Sequence, residues 1–226
     1  MDFNLLLEDL NISLSNEQLE QFQKYYELLV EYNKVMNLTG ITDYEGVYLK
    51  HFYDSLTLVK AYDFTKEIKM CDVGSGAGFP IVPLKIAFPN INATIIDSLG
   101  KRIDFLNTVI KELKLDNIKA IHARAEEFKE RECFDVVTSR ALADVNIGLE
   151  LCMPLVKVDG FYLPMVVSYD LGPNTVKTLG GKFIDEIKFN LPIENSERKI
   201  LKIKKVEHTL GKYPRVFSQI KKKPLR

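Results

Sequence analysis

A glycine-rich segment, Asp72-Val73-Gly74-Ser75-Gly76-Ala77-Gly78-Phe79-Pro80, has the residue types and spacing that most clearly suggest chemistry. It directly follows an apolar run, residues 68–73, that predicts a β-strand. Glycine tolerates positive φ and lets the backbone approach a ligand closely. At the end of a parallel strand, such a loop borders the ligand crevice of a doubly wound sheet. The segment therefore predicts a binding site for a small cofactor.

The spacing of these glycines separates two classes of cofactor. A dinucleotide site takes the pattern G-x-G-x-x-G, in which the last glycine packs the following helix against the strand. In this chain Phe79 stands three residues after Gly76, and the pattern is instead G-x-G-x-G with Asp72 two residues before the first glycine. That arrangement is typical of class I methyltransferases, so it predicts S-adenosylmethionine as the cofactor. An NAD-dependent oxidoreductase, or a tight turn that binds nothing, is the alternative.

Two further acidic residues follow later predicted strands at positions suited to a nucleoside. Asp97 ends the predicted strand 93–96, about twenty residues after the loop, where a carboxylate can accept hydrogen bonds from ribose hydroxyls. Arg124-Ala125-Glu126 follows the predicted strand 118–121, at the edge where an adenine ring would lie. A helix cap for Asp97 and an ordinary helix-start acid for Glu126 are the alternatives. The predicted cofactor-binding residues are Asp72, Gly74, Gly76, Gly78, Phe79, Asp97, Ser98, Ala125, Glu126 and Arg140.

Arg140 and His51 also have chemistry that suits this edge of the sheet. Arg140 follows the predicted strand 134–138, where its guanidinium could hold a carboxylate or a phosphate through two hydrogen bonds. We therefore predict that it contacts both cofactor and RNA, with a structural ion pair as the alternative. His51 lies in a predicted helix near Asp54. It is predicted either to contact RNA or to be a half-buried structural residue.

The elements that must position these residues alternate along the chain. The predicted strands 68–73, 93–96, 118–121, 134–138 and 161–167 alternate with helical segments such as 99–113 and 143–156. Such alternation predicts right-handed βαβ units and a doubly wound, mostly parallel α/β sheet, here the Rossmann-like class I methyltransferase fold. Two further predicted strands, 183–189 and 199–206, are expected to form an antiparallel hairpin at the sheet edge.

Helical patterns dominate the residues before the sheet. Ser15 and Gln18 have the spacing of a capping box, and apolar residues then recur at helical intervals as far as Met36. A second helical stretch is predicted from about 44 to 60. We therefore divide the chain into a helical extension packed on the core (1–62), a cofactor-binding core (63–210) and a basic C-terminal tail (211–226).

Charges are unevenly distributed along the chain, although the formal net charge is zero. Of its 31 basic and 31 acidic residues, 11 basic residues and one acid fall within 198–226, which leaves 20 basic and 30 acidic residues elsewhere. Such a segment favours contact with a polyanion, and a solvated tail is the alternative. Because no acid lies among the basic residues from Lys212 to Arg226, we expect them to lack internal ion pairs. The predicted RNA-binding residues are His51, Arg124, Arg140, Lys212, Arg215, Lys221, Lys222 and Lys223.

Composition argues against several other classes of protein. No run of roughly 18 apolar residues predicts a membrane span, and residues 1–4 lack the basic start of a signal peptide. The three cysteines, Cys71, Cys133 and Cys152, have no C-x-x-C spacing. We therefore expect neither disulfides nor a metal site, and a cytoplasmic location.

Residues after the fourth predicted strand narrow the methyl acceptor. Amino methylation of adenine commonly uses [DN]PP[FY] there, whereas this chain has Thr138-Ser139-Arg140-Ala141. Methylation at a pyrimidine C5 needs a cysteine nucleophile, and neither Cys133 nor Cys152 is placed for that role. N7 of guanine already carries a nucleophilic lone pair, so an enzyme has only to position the two reactants. The absence of both features is therefore compatible with guanine N7 as the acceptor.

Together these motifs resemble those of one family. They include Tyr32-Asn33-Lys34, Asn37-Leu38-Thr39, His51-Phe52 with Asp54-Ser55-Leu56, Asp72 to Pro80, Asp97-Ser98-Leu99, Asp135 to Ala141, and Lys212-Tyr213-Pro214-Arg215. From about Tyr25 to near its end, the chain resembles the bacterial 16S ribosomal RNA (guanine-N7) methyltransferases, also called glucose-inhibited division protein B. The resemblance implies S-adenosylmethionine as cofactor and a guanosine in the decoding-region loop of small-subunit ribosomal RNA as target. The expected partner is that RNA or the ribosomal subunit, and we expect a monomer.

At two places the chain departs from the family pattern. The family usually has Lys-Gly at the end of the fifth strand, where this chain has Val166-Val167. After Arg215 the family usually continues with a basic loop that contains Gly and Pro, whereas this chain has Val216-Phe217-Ser218-Gln219-Ile220. Both changes are expected to lie on surfaces that face RNA. Methylation of another RNA or of a protein, and RNA binding without catalysis, are therefore kept as alternatives.

Overall fold

A seven-stranded sheet forms the centre of the computed structural model, which describes residues 2–140, 142 and 144–226. The strands are β1 (Ile68–Val73), β2 (Ile91–Asp97), β3 (Ile118–His122), β4 (Phe134–Arg140), β5 (Val156–Val166), β6 (Gly181–Asn190) and β7 (Glu197–Lys205). Their order in the sheet is β3-β2-β1-β4-β5-β7-β6. Strands β1 to β5 are parallel, whereas β7 is antiparallel to both β5 and β6. The predicted α/β sheet with an antiparallel edge hairpin is confirmed.

Helices precede the sheet and cover it. They are α1 (Phe3–Glu8), α2 (Asn16–Met36), α3 (Tyr44–Val47), a π-helical turn (Tyr48–Tyr53), α4 (Asp54–Leu56), α5 (Ile81–Ala87), α6 (Gly100–Glu112), α7 (Val145–Cys152), α8 (Thr175–Thr178) and α9 (Phe217–Lys222). The predicted capping box is present, since Ser15 Oγ accepts from the Gln18 N–H and Gln18 Oε1 accepts from the Ser15 N–H. Within the described ranges, no helix combines the length and apolar character needed to cross a membrane.

An aromatic cluster joins the helical extension to the glycine-rich loop. Tyr25, on α2, is fully buried and stacks on Phe52 with ring centroids 5.2 Å apart. Its Oη donates a hydrogen bond of 2.5 Å to the carbonyl of Ala77 within the loop. Burying an aromatic side chain of this size contributes about 1.5–3 kcal/mol. The extension therefore holds the loop in place as well as adding to the core.

The strand order fixes where a ligand can bind. β1 lies between β2 and β4, so the chain builds the sheet outward in both directions from β1. Ligands of doubly wound sheets bind at such a switch point, outside the carboxyl ends of the strands. The glycine-rich loop after β1 and Arg140 at the end of β4 both lie at this point.

Two predicted elements differ from those in the structure. The predicted helix 143–156 ends earlier, because a 3₁₀ turn spans Met153–Leu155 and β5 already begins at Val156. Val156 pairs with Phe134 before a register shift, whereas the predicted strand began only at residue 161. The start of that predicted helix, residue 143, lies outside the described residues. The predicted helix 44–60 is helical throughout but changes pitch, with a π-helical turn at its centre.

Candidate active site

The glycine-rich loop is tied to the end of β2 by hydrogen bonds. The Gly74 N–H donates to the Ile96 carbonyl at 2.8 Å, and the Gly76 N–H donates to Asp97 Oδ2 at 3.1 Å. Asp97 Oδ1 accepts from the Leu99 N–H at 2.9 Å, but Leu99 is the N-cap residue of α6 and no side chain caps this helix, so the alternative of a helix cap for Asp97 is wrong. Asp97 is only 2% exposed. The loops after β1 and β2 are therefore held together by one buried carboxylate.

A small cavity of about 160 Å³ lies at the carboxyl ends of β1, β2 and β3. Its lining includes Gly74, Asp97, Ser98, Arg124, Ala125, Glu126 and Leu142. Arg124 Nη1 lies 3.8 Å from Glu126 Oε1, and about half of the Arg124 side chain is exposed at the rim. The structure thus brings the predicted acids of two separate loops to one cavity.

Five predicted cofactor residues are not among those that border this cavity: Asp72, Gly76, Gly78, Phe79 and Arg140. Asp72 is fully buried below the loop and accepts a hydrogen bond of 2.5 Å from Ser75 Oγ. Burial raises the pKa of its carboxyl to about 7. Phe79 is also buried, and its ring stacks on that of His51 with ring centroids 4.5 Å apart. Asp72 and Phe79 therefore support the loop without bordering the cavity.

Arg140, the last residue of β4, is bonded to the helical extension. Its Nη1 donates to Asp54 Oδ2 at 3.1 Å and to the Lys50 carbonyl at 3.3 Å. Nη2 lies 3.4 Å from His51 Nδ1, and the guanidinium carbon lies 4.8 Å from the centre of the Phe79 ring. Asp54 is 4% exposed, so it needs a cationic partner. The ion pair considered as the alternative for Arg140 is therefore present.

A larger cavity of about 410 Å³ lies beside this network. Its lining includes His51, Asp54, Arg140, Leu142, Val166 and Lys199. Leu142 borders both cavities, so the two meet at this side chain. Lys50 and Arg198 add further cations to the larger cavity, and Arg198 Nε lies 3.5 Å from Asp54 Oδ1.

Similarity to known proteins identifies the family of this chain. Residues 18–170 match the family model GidB, described as rRNA small subunit methyltransferase G. The chain belongs to the GidB family. Proteins named Ribosomal RNA small subunit methyltransferase G from Exiguobacterium sibiricum and Bacillus licheniformis are each 49% identical to it over 232 residues. Both matches cover 99% of this chain, and they cover 98% of the Exiguobacterium protein and 97% of the Bacillus protein. The family predicted from the motifs is confirmed.

Solved structures with a similar fold are more distant in sequence. A SAM-dependent methyltransferase from Aquifex aeolicus has a TM-score of 0.58 and 15% identity, covering 75% of this chain and 97% of that one. A putative sarcosine dimethylglycine methyltransferase from Galdieria sulphuraria has a TM-score of 0.54 and 12% identity, and the match covers 69% of this chain and 85% of that one. At these identities the likeness concerns the fold, and it confirms the predicted Rossmann-like architecture.

The π-helical turn in this GidB-family chain carries His51 towards Arg140. Burial, aided by the positive charge of Arg140, lowers the pKa of His51 to about 4. The ring is therefore neutral near pH 7. Nε2 lies 2.7 Å from Thr39 Oγ1, and Nδ1 lies 3.1 Å from the Lys50 carbonyl oxygen and 3.4 Å from Arg140 Nη2, so both ring nitrogens have partners. These contacts favour the structural interpretation of His51.

Two basic residues at the larger cavity were missed as individual site residues. Arg198 and Lys199 lie on β7, and the charge pattern indicated them only as part of the basic segment 198–226. Lys199 pairs with Val166 across β5 and β7, and both residues border the cavity. The hairpin therefore supplies a cation beside Val166, where the family usually has a lysine within β5. Strand alternation alone cannot reveal this pairing, because it depends on the register between two strands.

The prediction that the C-terminal basic residues lack internal ion pairs is wrong for two of them. Arg215 Nε and Nη2 donate to the carboxylate of Glu150 at 2.8 and 2.6 Å, and Glu150 is fully buried. Arg226 pairs with Asp170, and its Nη2 lies 3.7 Å from Asp144 Oδ2. The partners come from distant parts of the chain, so the local absence of acids was misleading. Lys212 and the lysines 221–223 are exposed, and no ion pair joins them to other residues within the described ranges.

Proposed function

We propose that this GidB-family protein uses S-adenosylmethionine to methylate N7 of a guanosine in 16S, small-subunit ribosomal RNA. The observation that carries the proposal is the meeting of two unlike cavities at Leu142. Two carboxylates and one cation, those of Asp97, Glu126 and Arg124, border the smaller cavity. Four cations and one carboxylate border the larger cavity, those of Lys50, Arg140, Arg198, Lys199 and Asp54. A cofactor nucleoside in the first would therefore face an RNA acceptor in the second.

Residues around the smaller cavity fit the polar groups of the cofactor. Asp97 would accept hydrogen bonds from ribose hydroxyls, as carboxylates at this position of a doubly wound sheet do. Glu126 would accept from the adenine amine beside Ala125. Gly74 leaves room near the reacting group, because a Cβ there would come within 3.3 Å of Leu142. When bound, the cofactor supplies a methyl group on a sulfonium, which is activated for direct transfer.

Two titratable groups, His51 and Cys152, support an acceptor that loses no proton before attack. His51, whose pKa is about 4, is occupied by Thr39 and Arg140 and is not needed as a base. Cys152 is fully buried, and burial raises the pKa of its thiol to about 12, which does not suit a nucleophile. The N7 lone pair of guanine needs neither group, so positioning is sufficient.

The charge of the larger cavity supports a polyanionic acceptor. Arg140 and Arg198 share one buried carboxylate, that of Asp54, so an excess of positive charge remains. Lys50 and Lys199 pair with glutamates only through surface contacts, and exposed pairs of this kind contribute little. Excess positive charge of this kind attracts phosphates. The names of the relatives support small-subunit ribosomal RNA, or the ribosomal subunit, as the partner.

The test is methyl transfer from radiolabelled S-adenosylmethionine to unmodified small-subunit ribosomal RNA, followed by nucleoside analysis. We expect label in 7-methylguanosine alone. An Asp97→Ala variant provides the control, because losing its hydrogen bonds to the ribose should weaken cofactor binding by about 1–3 kcal/mol. A matched incubation with a protein lysate tests the alternative acceptor.

Each other outcome contradicts a different part of the proposal. Label in adenine or cytosine would exclude N7 specificity. Label in protein but not RNA would identify another substrate. RNA binding without transfer, in a protein that binds the cofactor, would indicate an RNA-binding module without catalysis.

A further inference from the structure

An aromatic residue from the C-terminal segment borders the smaller cavity. Phe217, the first residue of α9, lines it together with Asp97, Glu126, Leu142 and residues of the loop after β3. The sequence pattern placed this segment on a surface facing RNA, far along the chain from the predicted cofactor loops. The fold instead returns it to the end of the sheet where the cofactor loops lie.

Buried anchors hold Phe217 in that position. Two residues before it, the Arg215 backbone N–H and side chain both bond to the fully buried Glu150 of α7. Three residues after it, Ile220 is completely buried in the core cluster that includes Leu149 and Leu151. The backbone on both sides of Phe217 is therefore fixed to the body of the protein.

The lining of the smaller cavity combines polar and apolar residues. Asp97, Ser98, Arg124 and Glu126 come from the loops after β2 and β3. Leu142, Leu151 and Phe217 supply apolar surface. A flat heteroaromatic ring with polar edges and apolar faces matches this combination, because its edges can meet carboxylates while its faces pack on hydrocarbon and aromatic rings.

We propose that Phe217 is a cofactor-binding residue whose ring packs against the adenine of S-adenosylmethionine. This inference rests on the proposed function, because it takes the smaller cavity as the nucleoside site. The C-terminal segment then contributes directly to cofactor affinity. The substitution of this chain's own Val216-Phe217 sequence for the usual family loop supplies the aromatic ring.

Calorimetry with S-adenosylhomocysteine and with adenosine tests the proposal. Phe217→Ala should lower the affinity for both ligands about tenfold, because stacking of an aromatic ring on a base raises affinity by roughly a factor of ten or more. The affinity should fall by the same factor for both ligands, because both contain adenine. Val216→Ala is the matched control, because Val216 is 65% exposed and does not border the cavity. Its affinity for both ligands should equal that of the wild type.

Fluorescence gives a readout that does not depend on removing the ring. The chain contains no tryptophan, so Phe217→Trp introduces a single reporter. Saturating S-adenosylhomocysteine should change its emission, whereas the emission of a Val216→Trp protein should stay the same. Phe217→Trp should also bind the ligand within about threefold of wild type, because it keeps an aromatic face.

The outcomes separate the two proposals. If the wild type binds neither ligand, the proposed function fails and this inference fails with it. If the wild type binds but Phe217→Ala binds equally well, or the emission of Phe217→Trp does not respond to ligand, only the role of Phe217 is overturned. A loss of RNA affinity in Phe217→Ala with unchanged S-adenosylhomocysteine affinity would place the ring on the RNA surface instead.

Discussion

At the scale of single residues, two glycines of the cofactor loop have different surroundings. Gly78 has φ +104°, and a Cβ there would lie 2.6 Å from Tyr25 Oη and 2.8 Å from the Val82 side chain. Gly76 has φ +61°, and a Cβ there would meet nothing within 4 Å. Gly78→Ala should therefore lower the free energy of unfolding by about 2–4 kcal/mol through strain and overpacking. Gly76→Ala, the control, should lose about 1–2 kcal/mol.

Urea denaturation of both variants measures this difference. Equal losses would show that the contact between the loop and α2 does not constrain Gly78. The comparison also tests whether the helical extension supports the loop, because Tyr25 belongs to α2.

Asp72 gives a second residue-scale prediction, for the dependence of stability on pH. Burial raises the pKa of its carboxyl from 3.8 to about 7 in the folded protein. Between about pH 4 and pH 7 the unfolded chain releases this proton and the folded protein retains it, so rising pH lowers the free energy of unfolding through this group. Above pH 7 both states are ionised and the effect is constant. Asp72→Asn removes it, so the stability of the variant relative to wild type should increase from pH 4 to 7 and then level off.

Chemical denaturation at several pH values measures the difference between the two proteins. The comparison is needed because His51, with its lowered pKa, acts in the opposite direction over part of this range. Its contribution is common to both proteins and cancels. A difference that is constant with pH would contradict the raised pKa of Asp72.

At the scale of elements, the attachment of the C-terminal segment depends on one buried ion pair. Glu150 is fully buried on α7, and Arg215 neutralises it through two side-chain hydrogen bonds. Arg215→Gln should lower the free energy of unfolding by about 3–5 kcal/mol, because it leaves a buried carboxylate without a cationic partner. Arg226→Gln, which removes a more exposed pair with Asp170, should cost less than about 1 kcal/mol.

The double variant Glu150→Gln with Arg215→Gln provides the decisive comparison. It should regain most of the lost stability, because no buried charge remains. If the double variant is as unstable as Arg215→Gln, the loss comes from packing and not from the uncompensated carboxylate.

The elements also show which features a sequence pattern can predict. The apolar run of β1, the glycine-rich loop and Asp97 were predictable, because strand ends and glycine spacing are local signals. The π-helical turn was not, since six residues cannot separate its period from that of an α-helix. The pairing of Glu150 with Arg215 joins residues 65 positions apart, although a lone acid in the apolar helix α7 was a signal that a distant cation was needed. The position of Phe217 depends on that same pairing.

At the scale of the whole molecule, the folded protein uses much of its basic C-terminal charge internally. Arg215, Arg226 and several residues of β7 have acidic partners. The lysines 221–223 on and beside α9 are different, because all three are exposed and unpaired within the described part of the chain. Their neighbour Phe217 borders the smaller cavity. One short helix and the residue after it therefore divide their proposed roles between Phe217, for the cofactor, and the exposed lysines, for a polyanion.

This division predicts the effect of salt on RNA binding. Contacts with Z phosphates release counterions, so the logarithm of RNA affinity should fall with the logarithm of salt concentration with a slope of about −0.7Z to −0.9Z. Replacing Lys221, Lys222 and Lys223 by Gln should weaken RNA binding. It should also make the slope less steep, by up to the contribution of about three phosphate contacts. Affinity for S-adenosylhomocysteine should remain that of the wild type, because none of the three lysines borders the cofactor cavity. The control replaces Lys66, Lys111 and Lys114, three exposed lysines near the opposite end of the sheet, and should leave the slope unchanged. RNA binding measured at several salt concentrations for the three proteins distinguishes a phosphate contact from a solvated tail, and an unchanged slope in the first variant would exclude these lysines from the RNA surface.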